Sequence, residues 1–296
     1  METSELLKKV RKLEIKTKGL SNHVFSGEYH TAFKGKGMAF SQVREYQPGD
    51  DIRAIDWNVT ARLHHPYIKV FEEERELSVM LLIDISGSSN FGTQKQLKRD
   101  LIAELSAVLA FSAIQNNDKI GAILFSDKIE KYIPPKKGKG HILRIIRELI
   151  HISPVGKGTN IELALKYFNN VIKKRSIAFL ISDFIDASFQ NKSGLDALKI
   201  ANKKHDIVAL KINDLREKEL PDVGLVKFID GETGKLNWID TSNLNVRKKY
   251  SLSYAKHDSL IKDMLTKNGI DLALINTTES YIKPLMNLFK KRESKK

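Results

Sequence analysis

The stretch Leu77-Ser78-Val79-Met80-Leu81-Leu82-Ile83, ending abruptly in Asp84-Ile85-Ser86-Gly87-Ser88, constrains the fold of this chain more than any other. An almost unbroken apolar run has no polar face to turn to water, so it reads as a parallel strand covered on both sides. The loop that follows carries one carboxylate and two hydroxyls at alternating positions. These are hard oxygen ligands of the kind Mg²⁺ takes. The loop leaving a strand's carboxyl end is also where open α/β sheets bind ligands.

From Glu76 onward such strands alternate with helical patterns. Strands are predicted at 77–83, 119–125, 129–133, 176–182, 206–212 and 270–275, with a polar hairpin across 224–240 turning at Asp230-Gly231-Glu232-Thr233-Gly234. Helices are predicted at 94–115, 140–151, 161–173 (Asn160 as N-cap), 194–203, 243–267 and 279–290. The alternation predicts an α/β fold, a doubly wound, mostly parallel sheet flanked by helices. Upstream, apolar spacing predicts a helix over 4–17, then a loop-rich segment with a strong turn at Gln47-Pro48-Gly49-Asp50-Asp51 and a short strand at 67–71. The expected division is 1–75, a helix and loop-rich segment, and 76–296, the α/β domain.

In a parallel sheet the strand carboxyl ends share one edge. Asp84 and Asp183, at the end of the apolar strand Ile177–Ile181, are therefore expected on the same edge. The Gly-rich loop 153–159 precedes a helix and can present Thr159 there. Asp84, Ser86, Ser88, Thr159 and Asp183 would together supply three hydroxyls and two carboxylates. Mg²⁺ takes near-octahedral oxygen geometry and keeps waters, which acids can hold. Bound directly by neutral hydroxyls alone, the ion keeps enough charge to attract a partner's carboxylate.

Lys and Arg number 50 against 36 acids, a net charge of +14, which raises nucleic acid or an anionic membrane as partners. The cations are spread, however, and clusters such as Lys173-Lys174-Arg175 and Arg247-Lys248-Lys249 are mostly Lys without interleaved aromatics. A basic solvated surface therefore accounts for them better than a base-stacking one. The absence of Cys excludes disulfides and thiolate metal sites. The first residues lack a signal peptide's apolar region, and no apolar run approaches the ~20 residues of a membrane span. The expectation is a cytoplasmic chain with no membrane span.

Asp-x-Ser-x-Ser at 84–88, with Thr159 and Asp183, resembles the metal-ion-dependent adhesion site of von Willebrand factor A domains. The run Tyr46-Gln47-Pro48-Gly49-Asp50-Asp51-Ile52-Arg53-Ala54-Ile55-Asp56-Trp57-Asn58-Val59-Thr60-Ala61-Arg62 resembles the signature of the bacterial "domain of unknown function 58" family, as do residues 40–45 and 71–76 flanking it. The likeness runs from about Gly35 to the C-terminus, with Ser89 standing where the pattern often has Met. It implies a von Willebrand factor A-like fold and a non-enzymatic, metal-dependent binding or chaperone component. Mg²⁺ or another divalent cation would be held by Asp84, Ser86, Ser88, Thr159 and Asp183, although some adhesion-type sites bind no metal. The implied partner is a MoxR-type AAA+ ATPase or another adhesion-domain protein, docking through an acidic residue. Within the signature, Arg53, Asp56, Trp57, Asn58 and Arg62 define no reaction. A structural role is expected for them, with an Asp56–Arg62 ion pair and Trp57 packing the segment onto the domain.

Other readings stay beside this one. The serines could simply cap a loop. A Mg²⁺-dependent phosphoester hydrolase is conceivable, but no nucleophile or base with a fixed partner stands out. A basic nucleic-acid binder is the third. Residues 87–92 are not G-x-G-x-x-G, residues 156–159 are no Walker loop, and Ser88 lies outside a G-x-S-x-G elbow. The pair His64-His65 lacks a zinc site's helical spacing and reads as a surface turn before Pro66.

Overall fold

The computed structural model describes residues 10, 11, 13, 14, 17, 29, 32, 33, 39–72, 77–92, 96–189, 192–229 and 236–294. The hairpin turn expected at 230–234 and signature residues 73–76 lie outside them. Of the helix expected over 4–17, residues 10, 11, 13, 14 and 17 are described, and all are helical. The chain divides into two units, residues 34–77 and residues 1–33 with 78–296. The first 33 residues thus go with the larger unit rather than with the signature segment. The physical reason is aromatic burial: the Phe33 ring meets Phe179 at 5.4 Å and Phe289 at 5.5 Å.

In the smaller unit β1 (Ala39–Glu45) pairs antiparallel with β2 (Tyr67–Glu72), and α1 (Trp57–Leu63) lies between them in sequence. The predicted turn is clamped by Arg44, whose two terminal nitrogens donate to the two oxygens of Asp50 at 2.8 and 2.7 Å. Asp56 caps α1, accepting from the N–H groups of Asn58 and Val59 at 3.0 and 3.3 Å. Its ionic partner is Lys69 at 3.7 Å rather than Arg62. Trp57 is 69 % exposed, and Arg53, Asn58 and Arg62 are exposed as well. His64 ends α1 in the left-handed region, at φ 58°, in the exposed turn expected there.

The larger unit is built on β3 (Ser78–Asp84), β4 (Lys119–Phe125), β5 (Ile129–Lys136), β6 (Ile177–Ser182) and β7 (Asp206–Asn213). After an exposed antiparallel hairpin of β8 (Leu225–Ile229) and β9 (Leu236–Asp240), β10 (Asp271–Asn276) completes the main sheet. Its order is β10-β7-β6-β3-β4-β5, parallel except for β5. This is the doubly wound, mostly parallel arrangement that the apolar strands predict. β5 runs beyond its expected end through Pro134 and Pro135, which an edge strand tolerates because one side needs no donors. The chain leaves β3 for β4 on one side and returns to β6 on the other, so a topological switch point flanks β3.

The helices are α2 (Lys98–Gln115), α3 (Lys139–His151), α4 (Ile161–Val171), α5 (Lys192–Lys204), the short α6 (Leu215–Lys218), α7 (Leu244–Lys267) and α8 (Ile282–Glu293). α2 starts at Lys98, later than the expected 94. Residues 79–83 of β3 are fully buried, each large aliphatic side chain contributing roughly 1.5–3 kcal/mol by burial. α2 is buried around nearly its whole circumference, and its Glu104 accepts from the Tyr281 hydroxyl at 2.6 Å. α8 is pinned by Arg292, which pairs with Asp206 and, at 2.8 Å, with Asp271. No helix among the described residues is long and apolar enough to cross a membrane.

Candidate functional site

The parallel register that sets Ile83 beside Ile181 puts Asp84 and Asp183 at neighbouring strand ends. Asp84 is 2 % exposed and both its oxygens are engaged. The Ser182 hydroxyl donates to Oδ2 at 2.6 Å and the Ser86 N–H to Oδ1 at 3.0 Å. The chain then enters a 3₁₀ turn over Gly87–Asn90, which brings the Oγ atoms of Ser86 and Ser88 to 3.0 Å of each other. Ser89, at the departure from the family pattern, donates its hydroxyl to the Ser86 carbonyl at 2.7 Å and braces the turn.

The loop carrying Thr159 is tied to the same edge at two points. The Gly87 N–H donates to the Lys157 carbonyl at 2.9 Å, and the Asn160 N–H to the Ser126 carbonyl at 3.0 Å. Asn160 caps α4 as expected, accepting from the Leu163 N–H at 2.9 Å. Gly156 makes the approach possible, since a Cβ there would stand 1.8 Å from Asp127 Oδ1 and 2.2 Å from Ser126 Oγ. Thr159, half-buried, lies between the two ties. The five expected residues therefore come from three segments gathered at one sheet edge.

The structure adds residues that the motif does not contain. Lys98, the first residue of α2, is 1 % exposed; its Nζ donates to Asp183 Oδ2 at 3.0 Å and also pairs with Glu217 of α6. The other Glu217 oxygen accepts from the Asp214 N–H at 3.0 Å, closing a capping box. Phe184, fully buried, stands at φ 60°, a sparsely populated conformation for a bulky residue. It is held there because its N–H donates to Ser182 Oγ at 2.9 Å and its carbonyl meets His257 Nε2 at 3.1 Å.

These surroundings drive the two carboxyls apart. Burial, reinforced by the nearby Asp183 charge, pushes Asp84 up to about 7 against the donors Ser182 and Ser86. For Asp183 burial acts in the same direction, but the Lys98 ammonium, the Ser88 hydroxyl and the Ile185 N–H outweigh it and hold the group below its ordinary range. Glu217 is pushed up by burial despite Lys98.

The hydroxyl pair fits a small hard cation. Cis ligands of an octahedral ion at about 2.1 Å lie about 3 Å apart, and Ser86 Oγ and Ser88 Oγ are 3.0 Å apart. Among the described residues no three His, Cys, Asp or Glu side chains are grouped as a metal cluster requires, so an ion here would depend on the hydroxyls.

The "Uncharacterized protein Rv1480" of Mycobacterium tuberculosis is 26 % identical over 294 residues, covering 99 % of this chain and 91 % of that protein. Among solved structures, the conserved hypothetical protein BatB from Bacteroides thetaiotaomicron aligns with a TM-score of 0.48 at 17 % identity, over 74 % of this chain and 99 % of that one. A von Willebrand factor type A protein from Catenulispora acidiphila aligns with a TM-score of 0.40 at 10 % identity, over 77 % and 43 %. The profile of the family described as "Protein of unknown function DUF58" matches residues 42–260, and this chain belongs to that family.

Proposed function

We propose that this chain is a metal-dependent protein-binding module rather than an enzyme. The observation that carries the reading is the Ser86–Ser88 hydroxyl pair, 3.0 Å apart, in front of the buried carboxyls of Asp84 and Asp183. Ser86, Ser88 and Thr159 would hold Mg²⁺ or a similar cation directly, with Asp84 and Asp183 behind them holding its waters. When bound, the ion supplies a positive centre that a partner's Asp or Glu completes. By family resemblance the partner is a MoxR-type AAA+ ATPase or another adhesion-domain protein. The test is capture of the purified ATPase by wild type, by Asp84→Ala, and by wild type with chelator. Loss of capture in both perturbed cases is expected, and equal capture in all three refutes the metal's role.

A phosphoester hydrolase is the second reading, favoured by an Asp84 that titrates near 7, as acid–base chemistry requires. Against it, both Asp84 oxygens are occupied by Ser182 and Ser86. Turnover of phosphate esters that disappears in Asp84→Ala would establish it.

A further inference from the structure

Lys98 places a cation against one of the two carboxylates that the proposed metal site needs. Its Nζ lies 3.0 Å from Asp183 Oδ2, and the lysine and aspartate side chains are 1 % and 4 % exposed. It is not carried by the site's own loops. It begins α2, and its amide donates to the Phe91 carbonyl at 2.9 Å, which fixes the helix start just after the serine turn. From the opposite side Glu217 holds the same ammonium, with that side chain 13 % exposed and anchored by the Asp214 N–H at 3.0 Å. Asp214 is itself held by the Thr277 hydroxyl at 2.6 Å and the Arg216 N–H at 2.9 Å. The ammonium is thus shared between the site's carboxylate and one belonging to a different connection.

We infer that Lys98 is a tethered counter-cation that competes with the divalent ion for Asp183, while Glu217 draws it away and so sets how tightly the site holds metal. This rests on the metal-site reading above. Two cations cannot both neutralise one buried carboxylate without mutual repulsion, which a low-dielectric interior strengthens. With metal absent, Lys98 keeps Asp183 from being buried as an unpaired charge, whose exposure to an apolar interior is strongly unfavourable. With metal present, Glu217 gives the displaced ammonium a carboxylate of its own. Lys98 is a positioning residue: it acts through Asp183 and leaves the ion's direct ligands untouched.

The experiment is calorimetric titration of the full chain with MnCl₂ at fixed pH and ionic strength, using wild type, Lys98→Met, Glu217→Gln and Asp84→Ala, with thermal unfolding measured with and without Mn²⁺. Lys98→Met should bind Mn²⁺ at least about tenfold more tightly than wild type, because one positive charge has left the ion's surroundings. Its melting temperature should also depend more on the metal, because Mn²⁺ then takes over the neutralisation of Asp183. Glu217→Gln should bind roughly threefold or more weakly, because Lys98 is left to Asp183 alone. Should Lys98→Met fail to fold at any metal concentration, Glu217→Gln decides the matter. Equal or weaker binding by Lys98→Met, or unchanged binding by Glu217→Gln, overturns the inference and leaves the metal reading standing. If neither wild type nor Lys98→Met binds Mn²⁺, the metal reading falls, and this inference with it.

Discussion

Ser182→Ala tests whether the candidate site is held by the hydrogen bonds behind it. The side chain is 1 % exposed, donates to Asp84 Oδ2 at 2.6 Å, and accepts from the Phe184 N–H at 2.9 Å. Alanine keeps the Cβ, so no sizeable cavity opens and the cost is almost wholly polar. Two buried groups lose their partner, an Asp84 oxygen and the amide of a residue at φ 60°. At roughly 1–2 kcal/mol each, the variant should lose about 3 kcal/mol, a fall in Tm of about 6–12 °C for a unit of this size. Urea unfolding followed by circular dichroism measures the loss, with an unchanged m-value showing that both states keep their compactness. Ser176→Ala is the internal control, because that hydroxyl only donates to the Lys174 carbonyl at 3.0 Å at the other end of the strand, and about 1 kcal/mol or less is expected there. The Asp84 carboxyl should also titrate above its present value of about 7, since a donor that favours its ionised form is gone. If Ser182→Ala costs no more than Ser176→Ala, Asp84 is not anchored as described.

Three further outcomes follow from other parts of the chain. His205 is 1 % exposed with its ring 4.3 Å from Phe168, and burial, then the charges of Lys204 and Arg175, lower its pKa to about 4. The unfolded chain takes a proton below about 6.5 while the folded chain resists it, so stability is lost as pH falls from about 6.5 towards 4. Urea unfolding of wild type and His205→Phe across that window should diverge by on the order of 2 kcal/mol, and parallel curves would contradict the account. Arg292→Ala removes the cation that pairs with Asp206 and with the 8 %-exposed Asp271; a loss of about 2 kcal/mol is expected in the same assay, and no loss would refute the pinning role. Trp57→Ala, at a 69 %-exposed position, should change stability by no more than about 0.5 kcal/mol, and a loss of several times that would refute the surface reading.

Legibility followed the range of the interaction. Asp84, Ser86 and Ser88 belong to one turn, and the apolar run before them already places that turn at a sheet edge. Asp183 and Thr159 could be brought to the same edge because strand polarity alone decides which ends meet. Lys98 could not be read in this way: its partners Asp183 and Glu217 lie 85 and 119 residues further along, and the nearby basic residues Lys95 and Arg99 look no different in the sequence. Ser182 was hidden for another reason, since a single serine closing an apolar strand looks like a strand end rather than an anchor. In the signature, acids proved more local than expected, with Asp56 serving the N–H groups two and three residues on. The edge strand runs past its predicted end through Pro134 and Pro135 because a missing donor is harmless where no neighbour is waiting, and adjacency is a property of the sheet.

The strain at Phe184 then has a physical place in the argument. Holding a bulky residue at φ 60° costs of order 1 kcal/mol, and the chain uses that kink to turn sharply after β6. The Ile185 N–H consequently donates back to Asp183 Oδ1 at 3.1 Å while Oδ2 remains with Lys98. Both oxygens of each carboxyl are therefore oriented by groups of the folded chain before any ligand arrives. Little ordering is left to be done on binding, and ordering is a large part of what weakens association. On the proposed reading, a cation held here would owe little of its affinity to ordering, and the balance of charge between Lys98 and Glu217 would tune it.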